Sequence, residues 1–363
     1  MVGTALSGCG KEKQDGTDVS ERCVPDSLKR VEFSDFEDIL QRNLGPVFGA
    51  RFKKYRRDYQ RTLNSEQNGF VPEQPLTISM ELVNRCNLSC TMCYTANHKA
   101  TKRTLSLQDI ERFFGDCKKN RVPSLMLGDH SEPLLHKDIQ EIILAAKSAE
   151  IMDIFLFTNG VLLTQSMSEF LVRERVSRVF VSLDAAKPET FRRIRGKNEL
   201  SLVESNLRRL LDIRNREKAE LPVVRVSFCV QRDNAHEQED FSAKWRDVVD
   251  FIDYQALVDP AWVTELVETV SVQNKALIEN RSEYLPFCNQ PFGYLSVLAS
   301  GHITPCCSFY AHNLKFGHIS THSIQDVWQG DEIRKLRQEL LLCQPNEVCR
   351  VCLSQRYEQF DTY

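Results

Sequence analysis

Residues 76–93 read LTISMELVNRCNLSCTMC, and the rest of the chain is organised around them. The apolar run 76–82 has the length and composition of a buried strand. Directly after it, Cys86, Cys90 and Cys93 form a Cys-x3-Cys-x2-Cys array. Three thiolates are one fewer than a closed all-cysteine zinc or iron–sulfur site requires. A four-iron cube held by three cysteines keeps one iron without a protein ligand, and that iron is open to a small molecule. A zinc knuckle is the competing reading of the same spacing.

Downstream, apolar segments alternate with amphipathic ones. Strands are expected at 76–82, 124–127, 154–158, 179–183, 223–231 and 253–258. Helices are expected at 107–119, 137–149, 165–173, 201–214 and 236–249. Strands separated by helices imply a parallel sheet with right-handed crossovers, and in such folds the chemistry gathers at the carboxyl ends of the strands. The cysteine loop follows the first strand and therefore lies at that end. Upstream, 1–27 is polar and reads as disordered. Residues 28–75 read as a helical extension, broken at Gly45-Pro46. After a domain spanning 76–270, residues 283–363 change texture, with a short strand at 293–298, Gly/Pro turns and a last helix at 331–342.

Composition narrows the function. The chain has 363 residues, a formal charge of −3 and 27% charged residues, which gives no electrostatic case for nucleic acid or an anionic membrane. No apolar run approaches the length needed to span a bilayer. Thirteen cysteines are many, and eight of them fall in two groups, at 86–93 and 306–352. That clustering suits reduced, metal-holding thiolates and a cytoplasmic location better than a secreted disulfide scaffold. There is no HExxH, Walker or GxGxxG motif.

The array, with bulky Met92 before the third cysteine, resembles the signature of the radical S-adenosylmethionine (radical SAM) enzymes. The resemblance implies a partial (β/α)6 TIM-like barrel. It also implies a [4Fe–4S] cluster on Cys86, Cys90 and Cys93 whose free iron binds S-adenosylmethionine, and reductive cleavage to a 5′-deoxyadenosyl radical. A flavodoxin- or ferredoxin-like donor would supply the electron. Further cofactor contacts are expected at the strand ends. Glu132 would receive the methionine amino group, in the turn opened by Gly128. Asn159, Ser182 and Asp184 would meet the carboxylate or ribose. One of Arg192, Arg193 and Arg195, with Arg195 taken first, would pair with the carboxylate.

Cys288, Cys306, Cys349 and Cys352, with the Gly301-x4-Cys306 spacing, resemble the SPASM/twitch extension of the same family. This small α+β domain implies an auxiliary [4Fe–4S] cluster on those four residues. Cys307 and Cys343 are spare, and either could replace a neighbour. A structural zinc site is the alternative.

Cys229 belongs to neither group. Arg225, Ser227, Cys229 and Gln231 alternate with Val224, Val226, Phe228 and Val230, so they share the face that lines a barrel lumen. A thiol there could return a hydrogen atom to a substrate radical. The expectation is therefore epimerisation of one carbon of a sugar-like small molecule. The alternatives are dehydrogenation through the auxiliary cluster, modification of a ribosomal peptide, or a non-catalytic zinc protein.

Overall fold

The computed structural model describes residues 33–93, 102–128, 130–256, 285 and 287–358. The disordered segment expected at 1–27 and the end of the 76–270 domain lie outside these residues. Six parallel strands form the body: β1 (Thr77–Met80), β2 (Ser124–Leu127), β3 (Asp153–Thr158), β4 (Arg178–Ser182), β5 (Val223–Val230) and β6 (Phe251–Ala256). They pair in sequence order, β1 with β2 through to β5 with β6. This is the mixed α/β architecture with a parallel sheet that the alternating pattern implies, and it agrees with the partial barrel that the resemblance implies.

One strand face is apolar and meets the helices. Ile78, Met80, Leu125, Leu127, Ile154, Leu156, Val179, Val181, Val224, Val226 and Phe228 all belong to the main core. The alternate residues face the lumen, among them Phe157, Phe180, Arg225, Ser227 and Cys229. The covering helices include α4 (Leu107–Lys119), α5 (Ile139–Ser148), α6 (Gln165–Arg173), α7 (Pro188–Arg195), α8 (Leu200–Arg216) and α9 (Gln238–Trp245). Helix α4 opens on a Ser106 cap that accepts from the Asp109 backbone N–H, and α6 on a Thr164 cap that accepts from Met167.

At the amino ends of the strands the lumen is floored by the N-terminal helices α1 (Phe33–Phe48), α2 (Ala50–Leu63) and the short α3 (Ser65–Asn68). Leu40, Leu44, Phe52 and Tyr55 pack on Leu76, Met152, Leu221 and Val223, which stand at the strand entrances. The Tyr55 hydroxyl donates to Asp153 Oδ2 at 3.0 Å, and Arg178 also pairs with that carboxylate. Gly45-Pro46 does not break α1 as expected; the helix runs through to Phe48, and the chain turns at Gly49 with φ 54°. Pro46 sits in the last turn and forfeits the bond that an N–H there would give the Arg42 carbonyl, a loss that the buried face of Leu40 and Leu44 offsets.

The C-terminal segment extends the same sheet. Strand β7 (Tyr294–Val297) runs parallel to β1 on its free edge, and β8 (His302–Thr304) and β9 (Gly317–His318) add antiparallel strands. Helices α10 (Ile324–Trp328), α11 (Asp331–Leu341) and α12 (Glu347–Glu358) follow. Trp328 Nε1 donates to the Pro72 carbonyl at 2.9 Å and anchors this segment to the linker before β1.

Candidate functional site

The cysteine loop leaves β1 at the carboxyl rim. Cys90 is buried, whereas Cys86 and Cys93 are half-buried. Two elements hold the loop. On one side, the Glu132 N–H donates to the Arg85 carbonyl at 3.2 Å. On the other, the Thr91 and Ser89 N–H groups donate to the carbonyls of Ile194 and Arg195, at 2.8 and 3.4 Å. These are the otherwise unpaired last carbonyls of α7. Gly196 ends that helix at φ 78°, and a Cβ there would lie 2.3 Å from Ser89 Oγ and 2.8 Å from Ser89 O. Only glycine lets the loop come this close. Helix α7 is absent from the helices that the periodicity predicts, as is α12, which follows the helix expected to be last at 331–342; Pro188 in the first turn of α7 and Gly196 after its last are proper start and stop signals.

Nitrogen donors aim at the sulfurs. Leu88 N lies 3.5 Å from Cys86 Sγ, Asn159 Nδ2 lies 3.4 Å from it, and Arg195 Nη1 lies 3.5 Å from Cys90 Sγ. Burial pushes the Cys86 thiol up to about 11 and raises Cys90 as well. Buried thiols that attract N–H donors become thiolates when a metal supplies the compensating charge. The donor set therefore fits an iron–sulfur cluster.

Glu132 is 1% exposed, and its carboxylate ties the ends of β2 and β3 together. Oε1 accepts from Thr158 Oγ1 at 2.8 Å and from Leu134 N at 3.1 Å, and Oε2 accepts from Asn159 N at 2.8 Å. A carboxylate offers about four lone-pair positions, so about one is left. Burial pushes this acid up to about 7, and its ionised form would gain from a nearby cation such as an ammonium. Gly128, at φ 95°, makes the turn: a Cβ would meet the Phe157 carbonyl at 2.4 Å. Asn159 also donates to Asn87 Oδ1 at 2.7 Å, tying β3 to the cysteine loop.

Ser182 closes β4 half-buried, and Asp184 beyond it takes a left-handed φ of 63°. Asp184 is 2% exposed. Its Oδ1 accepts from Cys229 N at 2.7 Å, and its Oδ2 lies 2.5 Å from Arg195 Nη2, a charge contact set off the hydrogen-bond axis. Arg195 thus lies between Asp184 and Cys90, whereas Arg193 pairs with exposed Asp233. Cys229 sits at the end of β5, half-buried, and burial pushes its thiol up to about 12.

The second cysteine group assembles from three places. Cys288 precedes β7, Cys306 follows β8, and Cys349 and Cys352 share one face of α12 at i, i+3 spacing. Burial raises Cys306, and the neighbouring charges of Cys307, Cys288 and Cys352 add to it. Burial likewise pushes Cys349 up to about 12, with Cys288 and Cys352 adding. Cys288, Cys306, Cys307, Cys349 and Cys352 thus lie within electrostatic reach of one another, while Cys343, one of the two spare residues, is disulfide-bonded and is not a substitute ligand. Among the described residues no three His, Cys, Asp or Glu are gathered tightly enough to hold one metal ion. A cube spreads its thiolates over four corners and needs no such single point. The ring of His130, in the turn after β2, lies tilted against Phe309 at 4.0 Å and meets His312 edge-on at 5.4 Å.

Comparison with known proteins agrees with this geometry. Residues 80–234 match the radical SAM superfamily model, and residues 288–353 match the SPASM iron–sulfur cluster-binding domain model. The chain belongs to the radical SAM superfamily and carries a SPASM domain. Its cofactors are accordingly [4Fe–4S] clusters and S-adenosylmethionine. Among curated relatives, a probable GTP 3′,8-cyclase of Methanocaldococcus jannaschii is 29% identical over 173 residues, which is 47% of this chain and 55% of the relative. The mycofactocin maturase of Mycolicibacterium smegmatis is 27% identical over 171 residues, 47% of this chain and 42% of the relative. The chain spans about half the length of the curated relatives it matches. In solved structures the fold recurs in anSMEcpe with bound AdoMet, at TM-score 0.56 and 17% identity over 79% of this chain and 96% of that one. It recurs also in Streptococcus suis SuiB bound to precursor peptide SuiA, at TM-score 0.55 and 17% identity over 77% and 70%.

Proposed function

We propose that this radical SAM enzyme inverts one carbon centre of a sugar-like small molecule held in the barrel lumen, with Cys229 as the hydrogen donor. Cys86, Cys90 and Cys93 would hold the cluster that binds S-adenosylmethionine, and Cys288, Cys306, Cys349 and Cys352 the auxiliary one. When bound, the first cluster and S-adenosylmethionine supply a radical able to take hydrogen from an unactivated carbon. Glu132 would accept from the methionine ammonium with its remaining lone pair, and Asn159 would hold the β3 end against the cysteine loop.

The observation that carries the reading is Cys229 itself. It stands on the lumen face of β5 at the carboxyl rim, and Asp184 fixes its backbone. Its raised pKa keeps the S–H intact at working pH, which hydrogen-atom donation requires. The S–H bond breaks, a C–H bond forms on the opposite face of the substrate, and sulfur is left one electron and one proton short. A flavodoxin- or ferredoxin-like donor would restore the electron and solvent the proton, which is how a solvent label would reach the substrate.

A second reading is radical modification of a ribosomal peptide, favoured by the match to a maturase. Incubation in deuterated water with candidate sugars and peptides tests both. Epimerisation through Cys229 places one solvent deuteron at the inverted carbon. Cys229→Ala should still form 5′-deoxyadenosine but release no inverted product. Normal turnover by that variant would reduce Cys229 to a packing residue and favour dehydrogenation.

A further inference from the structure

Arg195 is 7% exposed, and its guanidinium touches a cluster-ligand sulfur and a carboxylate. Nη1 lies 3.5 Å from the sulfur of Cys90, and Nη2 lies 2.5 Å from Asp184 Oδ2. Arg195 is the last residue of α7, whose final carbonyls take the Ser89 and Thr91 N–H groups of the cysteine loop. Its position relative to Cys90 is therefore set by backbone as well as by side chain. The Asp184 carboxylate is fixed in turn, because its other oxygen accepts the Cys229 N–H and Asn234 Nδ2 donates to its carbonyl at 2.9 Å.

From this geometry we propose that Arg195 and Asp184 form a charge pair that sets the reduction potential of the cluster on Cys90, Arg195 raising it and Asp184 limiting the rise. The inference rests on the assignment of that cluster to Cys86, Cys90 and Cys93. One-electron reduction adds a negative charge to the cluster. A cation hydrogen-bonded to a ligand sulfur stabilises the reduced form more than the oxidised one, and such bonds are among the determinants of iron–sulfur potentials. Burial strengthens the effect by keeping water from screening the charge. A carboxylate behind the cation opposes it. Arg195 acts through Cys90, so it is a positioning residue rather than a catalytic one.

The two substitutions have opposite signs, which no purely structural role would give. The test is an anaerobic dithionite titration of the reconstituted full chain, monitored by electron paramagnetic resonance. The signal followed is the one that changes shape when S-adenosylmethionine is added, and the auxiliary cluster serves as the internal reference. At the wild-type midpoint, Arg195→Gln should lower the reduced-to-oxidised ratio about tenfold, a shift of about 59 mV for one electron. Asp184→Asn should raise that ratio, and Arg195→Lys should stay near wild type. If Arg195→Gln fails to load iron, Asp184→Asn and Arg195→Lys still decide the matter. Unchanged midpoints, or midpoints that move the same way in the Arg195→Gln and Asp184→Asn variants, overturn this inference alone. A wild type with no signal responsive to S-adenosylmethionine overturns the cluster assignment along with it.

Discussion

Glu132 carries more structure than a ligand contact would need. Its three accepted hydrogen bonds join the turn after β2 to the end of β3, and Asn159 continues the link to Cys86. Glu132→Ala would leave the Thr158 hydroxyl and the Asn159 N–H without their acceptor in a buried site. Each loss costs about 1–3 kcal/mol, so the variant should unfold several degrees lower in a thermal melt of the protein. Glu132→Gln keeps the shape and one acceptor oxygen; it should restore much of that stability while still weakening S-adenosylmethionine binding by ~1.5–3 kcal/mol, read by equilibrium dialysis. Unaltered affinity in the Gln variant would mean that the carboxylate serves only the strand ends. The residue types at this rim were legible from their order along the chain, since each follows a strand. Their pairing was not. Asp184 and Arg195 both looked free to meet the ligand, because sequence cannot say that a left-handed turn at 184 brings the carboxylate onto Arg195.

Among the elements, α7 shows where pattern reading stops. Three elements, 107–119, 124–127 and 165–173, and the start of β5 at 223 fall where the periodicity puts them. The two helices carry apolar faces at helical spacing, and the strand 124–127 is apolar enough to be buried along its whole length. Helix α7 is eight residues long and crowded with arginines, so its short apolar side, Phe191 and Ile194, was lost among the charges. Yet its end clasps the cysteine loop, and Gly196 makes that contact possible. Gly196→Ala combines a left-handed φ with a methyl group driven into Ser89. A strained backbone and an overpacked contact each cost about 1–3 kcal/mol. The expected outcome is faster loss of iron to a chelator from the first cluster, with the auxiliary cluster retained. Equal rates of loss from both would argue that α7 does not support the loop specifically.

At the scale of the whole molecule, one continuous sheet carries both cysteine groups. Strand β7 joins β1 on the edge opposite β2, and Glu81, one residue past β1, accepts the Ala299 N–H at 2.8 Å. The C-terminal segment is thereby fixed to the strand that carries the cysteine loop. Sequence texture separated this segment from the barrel, but pairing of β7 with β1 joins residues more than two hundred positions apart, and no local signal reports such contacts. The same holds for the floor, where Tyr55 reaches Asp153 across 98 residues. The most direct measurement of the account is iron content and 5′-deoxyadenosine formation after anaerobic reconstitution, in the wild type and in a Cys86→Ala, Cys90→Ala, Cys93→Ala variant. Two four-iron cubes predict about eight irons per chain in the wild type and about four in the variant, with 5′-deoxyadenosine formed by the wild type alone. Full iron in the variant, or continued cleavage of S-adenosylmethionine by it, would contradict the account.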